Sequence, residues 1–326
     1  MQNKKVFVVG GAGYIGSHVV KMLQEKGYSV LVYDNLSKGH KDAVPEKNLV
    51  VGELGDAELL TSVMREFNPD AIMHFAGFIE VGQSVKQPLT YYQNNVANTI
   101  TLLEAATKNN ITQFIFSSSA AVYGTPEVSP TSEDAPLRPI NPYGQSKVIV
   151  EQMLADVARA TSLRYVALRY FNAAGADPSG TIGERHDPET HLIPLALKAA
   201  KGQLNPLKVF GTNYPTPDGT CIRDYVHVND IADAHIKALE YLAGGGTSDA
   251  FNCGYGHGFS VRQVLDAVKR VTGVNFTEEQ GEQRTGDPAM LVADSAKIRR
   301  VLGWEPHHDD LDYLVRTAWE WEKSRT

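Results

Sequence analysis

Cysteine is scarce in this chain: only Cys221 and Cys253 occur among 326 residues. Neither has the paired Cys or His spacing of a zinc site or a redox couple, which excludes a disulfide-stapled scaffold and gives no reason to expect a metal. Both thiols fit structural roles in a reducing compartment, so a cytoplasmic location is expected. Long apolar runs are also missing. Nothing approaches the ~20 residues of a membrane span. The run Val6-Phe-Val-Val9 after Lys4-Lys5 stops at Gly10, too short for the apolar part of a secretory leader. Positive charge is in deficit, with 31 Lys and Arg against 38 Asp and Glu and a net charge of −7. That balance argues against a nucleic-acid partner, so any basic site must be local. Internal repeats and low-complexity tracts are absent. What remains, 42% hydrophobic and 21% charged residues, is an ordinary globular composition with room for one large or two modest domains.

Val6–Val9 reads as a buried strand and leads into Gly10-Gly-Ala-Gly13-Tyr-Ile-Gly16, followed by an amphipathic run to Lys26. Gly10 and Gly13 permit a tight turn and close approach of backbone amides to a pyrophosphate, while Gly16 lets a helix pack closely on the strand. A glycine turn alone is weak evidence. Here the next strand, Ser29–Tyr33, ends in Asp34, placed to bond ribose hydroxyls and to repel the extra phosphate of NADP. A dinucleotide site preferring NAD is therefore expected. Further strands at Leu49–Val51, Ala71–Met73 and Gln113–Phe116 alternate with helical stretches from about Glu58 and about Pro88, predicting a parallel, doubly wound sheet. Glu53 and Leu54 then fall near the adenine and Phe75-Ala76-Gly77 near the middle of the cofactor, because ligands collect at the carboxyl ends of such strands. Singly, Phe75 is equally a core residue and Glu53 a solvated one. The stripe Leu89, Tyr92, Val96, Ile100 and Leu103 reads as helix packing, with Asn94 its notable polar member.

Two later segments carry the chemistry: Phe116-Ser-Ser-Ser-Ala-Ala-Val-Tyr-Gly124 and Asn141-Pro-Tyr-Gly-Gln-Ser-Lys147. Tyr143 and Lys147 are four apart and share one helix face. Pro142 suits the first helical position and Asn141 the cap, which puts Tyr143 at the positive end of the dipole. A neighbouring ammonium favours the phenolate, so Tyr143 is expected to have a lowered pKa and to act as a base. By itself the pair reads as a surface Tyr and Lys on an ordinary helix. Its weight comes from the serines before it.

The helix continues through Arg159, a strand follows at Leu163–Leu168, and Arg169 to Gly175 leaves the sheet. Asp177-Pro-Ser-Gly180, Gly183 and Asp187-Pro188 form a turn-rich tract that reads as a domain boundary. Residues 1–175 are expected to form a Rossmann-type dinucleotide domain. Residues 176–326 are expected to form a smaller mixed substrate domain, with about 225–255 packing back on the first. In that second part a helix is expected at about His191 to Lys201 and strands at Leu207–Phe210 and Ala250–Cys253. Arg223 and Arg284 supply guanidinium forks suited to a diphosphate, or else surface ion pairs.

With this glycine turn, the triple serine and the Tyr-x-x-x-Lys helix, the chain resembles the extended short-chain dehydrogenase/reductases, and within them the UDP-hexose 4-epimerase family. Gly10 to Ser17, Asp34-Asn-Leu36, Pro88 to Asn95, Phe116 to Gly124, Tyr170-Phe-Asn172, Asp218 to Asp230 and Gly286-Asp287 carry the likeness along nearly the whole chain. The resemblance implies that Ser119, Tyr143 and Lys147 are catalytic. It implies that Gly10, Gly13, Tyr14, Ile15, Gly16, Asp34, Asn35, Glu53, Leu54, Phe75, Ala76, Gly77, Asn94, Ser117, Tyr143, Lys147 and Phe171 surround NAD. It places Ser119, Tyr143, Asn172, His191, Leu192, Lys208, Val209, Phe210, Arg223, Arg284, Asp287 and Leu291 around a UDP-sugar, with Phe210 facing the uracil.

The chain departs from the family pattern at Glu53, usually Asp, and at His191, Asn in some members. A third departure is Leu291, at the position that limits sugar size. The activity implied is reversible inversion at carbon 4 of UDP-galactose and UDP-glucose through a 4-keto intermediate, with weak action on the N-acetylhexosamine pair. A dehydratase of the same superfamily would need acid–base groups after the serine, where this chain has Ala120-Ala121. A non-catalytic NAD-sensing module would be expected to lack the Tyr-Lys pair. The resemblance further implies a homodimer joined through the helices from about Pro88 and Pro142.

Overall fold

The computed structural model describes residues 4–283 and 287–325. Its first part runs β1 (Lys5–Val9), α1 (Tyr14–Glu25), β2 (Ser29–Asp34), β3 (Leu49–Val51), α2 (Ala57–Phe67) and β4 (Ala71–His74). Three helical pieces follow, α3 (Val81–Lys86), α4 (Pro88–Tyr92) and α5 (Asn98–Lys108), then β5 (Gln113–Ser119), α6 (Pro142–Ala160) and β6 (Arg164–Tyr170). The remainder contains β7 (Asn172–Ala174), α7 (Leu192–Ala200), β8 (Leu207–Phe210), β9 (Ile222–Arg223), β10 (Tyr225–His227) and α8 (Val228–Ala243). It closes with β11 (Asp249–Cys253), β12 (Phe259–Ser260), α9 (Val261–Thr272), β13 (Glu278–Gly281), β14 (Met290–Leu291), α10 (Ala296–Leu302) and α11 (Leu311–Ser324).

Seven parallel strands form the main sheet in the order β11-β6-β5-β4-β1-β2-β3. Both faces are covered, which is why its strands read as unbroken apolar runs. Alternation assigns the faces. Val6, Val8, Val32, Met73 and Ile115 pack beneath Val19, Val20 and Leu23 of α1 and Ile231 and Leu239 of α8. Phe7, Val9, Tyr33, Ile72 and Phe114 meet Leu60 and Met64 of α2, Leu102 of α5 and Val150 and Leu154 of α6 on the other side. Because β1 has β2 on one flank and β4 on the other, the order reverses there and opens a crevice at the strand ends, the usual ligand position in such sheets. A separate core joins α7, α9 and α11 with Leu207 and Val209 of β8. Small sheets β12-β9-β14, β13-β8 and β10-β7 surround it. The chain recrosses to the main sheet at α8 and β11, whose Asp249–Cys253 pairs with Val166–Tyr170.

The segment after Pro88 departs from the expected single packed helix. A π-helical turn at Gln93–Ala97 interrupts it and changes the phase of the stripe. Leu89 and Ile100 consequently face outward, 80% and 46% exposed, while Tyr91, Asn95, Thr99 and Leu102 turn inward.

Candidate active site

The glycine turn forms a close cradle. Gly10 has φ +77°, and a Cβ there would come within 2.4 Å of the Ala76 nitrogen; a Cβ on Gly16 would lie 2.3 Å from the Gly10 carbonyl oxygen. Only glycine allows the turn, the start of α1 and the Phe75-Ala76 loop to approach so closely. Asp34 ends β2 with Oδ2 accepting from Ala12 N at 2.9 Å and Oδ1 from Leu36 N at 2.8 Å. Burial raises its pKa, and those two amides pull it back. Asn35 Nδ2 donates to Glu53 Oε2 at 2.9 Å, and Leu54 packs beside Tyr33. Tyr14, opening α1, donates to the Gly175 carbonyl at 2.6 Å, and Ile15 packs on the sheet core. Phe75 packs against His235 with the rings tilted and their centroids 4.7 Å apart, and Gly77 lies beside the Asn95 amide and the Lys147 ammonium. These residues can hold a dinucleotide: a tight amide-lined turn and a carboxylate at the next strand end suit a pyrophosphate and a ribose.

Asn141 caps α6 by accepting from Gly144 N at 2.8 Å, with Pro142 at its first position, so Tyr143 and Lys147 emerge in the first turns as the spacing predicts. Ser119 lies beside Tyr143 and draws the phenol pKa down. The Lys147 ammonium, 4% exposed, donates to the Ser117 carbonyl at 2.8 Å and sits 5.8 Å from the Tyr143 ring centroid. The expectation of a lowered phenol pKa is corrected here. Burial pushes Tyr143 up, with Ser119 drawing it down. The ammonium lies 5.8 Å from the ring centroid and is itself disfavoured by burial, which lowers Lys147 to about 8. Desolvation is the dominant influence on both groups. Asn94 donates to Asn95, and Ser117 Oγ pairs closely with Tyr170. Phe171 is buried with Ala120, Val122 and Val148, and Leu291 packs on that same cluster.

The expected substrate residues are spread over the second part. Asn172 starts β7, and its amide donates to the Asp224 carbonyl at 2.9 Å. Arg223 forms a tight ion pair with Asp287, and Tyr214 donates to the same carboxylate at 3.5 Å. Leu291 pairs in register with Arg223 across β14 and β9. Lys208 is exposed with its ammonium 5.7 Å from the Phe210 ring, whereas the Val209 side chain is buried in the core, leaving only its main chain for a ligand. Leu192 opens α7 and packs on the same core. Arg284 lies outside the described residues.

Two groups escape the sequence reading. Glu184, His186, Glu189 and His191 converge, their nitrogen and oxygen atoms all within 4.8 Å of one another. Glu184 Oε1 is 3.0 Å from His186 Nδ1 and 2.8 Å from His191 Nδ1, while Glu189 Oε1 is 2.9 Å from His191 Nδ1. Against its burial, the imidazoles hold Glu184 well below the usual carboxylate range, and the two carboxylates hold His191 well above the imidazole range. The spacing Glu-x-His-x-x-Glu-x-His is a signal that could have found them. The second group, Ser118, Glu151 and Arg169, lies under the Tyr143 helix. Its trace is Glu151, four residues beyond Lys147.

A doubly wound dinucleotide fold with a Ser-Tyr-Lys constellation at the strand switch point defines a class, and comparison supplies the family. Residues 6–254 match the NAD dependent epimerase/dehydratase family, and the chain belongs to it. Within it the chain is 53% identical to the UDP-glucose 4-epimerase of Azospirillum brasilense, covering 98% of this chain and 92% of that one. The crystal structure of UDP-glucose 4-epimerase from Brucella ovis in complex with NAD superposes with a TM-score of 0.95 at 49% identity, covering 97% of each chain. The UDP-Glc/GlcNAc 4-epimerase of Campylobacter jejuni superposes with a TM-score of 0.87 at 44% identity, covering 98% of this chain and 99% of that one.

Proposed function

We infer that this chain catalyses reversible, NAD-dependent inversion at carbon 4 of UDP-galactose and UDP-glucose. The observation that carries it is the Ser119–Tyr143–Lys147 group at the mouth of the crevice, in a chain with close epimerase relatives over its full length. When bound, NAD would supply a reversible hydride acceptor. Gly10 and Gly13 would hold its pyrophosphate, with Gly16 letting α1 pack close enough, and Asp34 would hold its adenosine ribose. Tyr143 takes the proton of the 4-hydroxyl and returns it, Ser119 bonds the 4-oxygen, and Lys147 holds the nicotinamide ribose and compensates the charge on Tyr143. The 4-keto sugar turns about its diphosphate linkage before reduction on its other face. That turn requires firm holding of UDP and loose holding of the hexose. Arg223 and Arg284 are assigned to the diphosphate, Phe210 to the uracil and Asn172 and His191 to the sugar side.

Residues 1–175, with the returning segment at about 225–255, serve the cofactor, and the rest serves the substrate. No helix among the described residues is long and apolar enough to cross a membrane. Cys221 and Cys253, both buried and neither in a disulfide, support a cytoplasmic location. A homodimer is supported by exposed Val85 and Leu89 with Val81 and Ile100 on the helices α3 to α5; a monomer in sedimentation at micromolar concentration would sink it. The function is tested by incubating the NAD-loaded protein with UDP-galactose and quantifying UDP-glucose. Protein that retains NAD and leaves UDP-galactose unchanged refutes it.

A further inference from the structure

Beneath the catalytic helix lies a buried polar ladder for which the proposed chemistry has no use. Three successive serines at the end of β5 engage three residues of α6 spaced four apart. Ser119 lies beside Tyr143, the Ser117 carbonyl accepts from Lys147 at 2.8 Å, and Ser118 Oγ donates to Glu151 Oε1 at 2.5 Å. Arg169 on β6 clamps the same carboxylate, its Nε donating to Oε1 at 3.0 Å and its Nη2 to Oε2 at 2.6 Å. Both side chains of the pair are 7% exposed. Arg169 Nη1 also donates to the Tyr123 hydroxyl at 3.0 Å, and that hydroxyl donates to Asn252 Oδ1 at 2.6 Å. A buried ion pair is on balance a weak stabiliser, and apolar residues of similar volume would often do as well. This pair does something that an apolar replacement would not: it sets a carboxylate one helical turn from a buried ammonium.

We propose that Glu151 is a positioning residue that keeps Lys147 in its ammonium form and against the Ser117 carbonyl, with Arg169 clamping the Glu151 carboxylate in place. The inference rests on the functional reading of Lys147 above and adds a residue to it. The groups around Lys147 leave Glu151 as its source of negative charge. On α6 these are Tyr143 and Glu151; on β5, the Phe116 ring at 4.9 Å and the Ser117 carbonyl. On β4 His74 is neutral, its pKa lowered to about 3 by burial and by Lys147 itself. On β6 Tyr170 bonds Ser117, and its burial keeps it protonated. Burial pulls the Lys147 ammonium down, and Glu151 is what pulls it back.

The test is the pH profile of kcat for wild type, Glu151→Gln, Glu151→Asp and the double variant Glu151→Gln/Arg169→Met, with UDP-glucose quantified after quenching. In Glu151→Gln the alkaline limb, where Lys147 loses its proton, is expected to move down by about one pH unit, the low end for loss of a close opposite charge. KM for UDP-galactose should hold, and Glu151→Asp should restore most of the limb. The double variant replaces the pair by apolar and neutral groups, so it should recover stability in urea while keeping the displaced limb. It also decides the matter if Glu151→Gln alone does not fold. A wild-type limb in the folded double variant overturns the proposal and leaves the pair a scaffold. Titration of the Lys147 Nζ in 15N-lysine-labelled, NAD-loaded protein, assigned with Lys147→Arg, reads the same shift without turnover. An inactive wild type would therefore sink the functional reading while this titration still decided the role of Glu151.

Discussion

Acid should unfold this protein early, because four histidines are buried in their neutral form. His18, His74, His227 and His235 are all at most 2% exposed. His18 Nε2, His74 Nδ1 and His235 Nε2 have no hydrogen-bond partner, so a proton added there would sit in a low-dielectric core with nothing to receive it. His227 Nδ1 accepts from Asn229 N at 3.1 Å, a bond that protonation breaks. Burial foremost lowers these groups from 6.5 to about 4, 3, 3 and 4 in that order. A histidine with a depressed folded pKa binds fewer protons folded than unfolded, so stability is present above about 6.5 and is lost as pH falls towards the folded value. Between pH 7 and 5 each group costs about 2 kcal/mol. Asp224, raised to about 6 by burial, works the other way: it is uncharged more readily in the fold and returns about 1 kcal/mol on acidification. His191, whose side chain is 40% exposed, is held, against desolvation, above its usual range by Glu184 and Glu189 and works in the same direction as Asp224, with solvent screening keeping its share small. The net loss is about 6 kcal/mol, comparable to the whole stability of a typical domain. Urea unfolding of the NAD-loaded protein at pH 7, 6 and 5, followed by tryptophan fluorescence at constant m, measures it. His235→Met should reduce the loss by about 2 kcal/mol, since it removes one titration. A loss below about 1 kcal/mol between pH 7 and 5 would refute the reasoning.

Tyr143→Phe deletes only the ionisable oxygen, so kcat should fall by about 10²–10⁴ with NAD retention and the unfolding midpoint preserved; a loss below about tenfold would mean another base. Asp34→Ala leaves the Ala12 and Leu36 amides without their acceptor, which should weaken NAD by about 1–3 kcal/mol and narrow the preference over NADP. Calorimetric titration with both dinucleotides decides this, and an unchanged preference ratio removes Asp34 from the ribose. Leu291, packed on the Phe171 cluster and paired with Arg223, should tune sugar size. Leu291→Tyr should exclude the N-acetyl sugars and Leu291→Ser should favour them, each by about 10–200-fold in relative kcat/KM. Equal ratios in both variants would show that Leu291 is not the gate.

The sequence by itself determined the elements whose signals are local. Strand Val6–Val9, the Gly10–Gly16 turn and the cap Asn141 before Pro142 stand where spacing and residue type placed them, because turn geometry and capping depend on a few neighbouring residues. Strands β3 and β8 match residue for residue. The tertiary structure decided what depends on distant partners. The π turn at Gln93–Ala97 rotates Leu89 and Ile100 out to solvent, a change of phase that no 3.6-residue periodicity reveals. The direction of the Tyr143 pKa was missed because spacing reports the neighbouring ammonium but not the burial that raises the phenol. Glu151 and Arg169 look like ordinary charged residues in sequence and become a buried pair only when β5, β6 and α6 meet. The Glu184–His191 cluster likewise forms where a loop folds against Tyr14, which hydrophobic patterning does not encode.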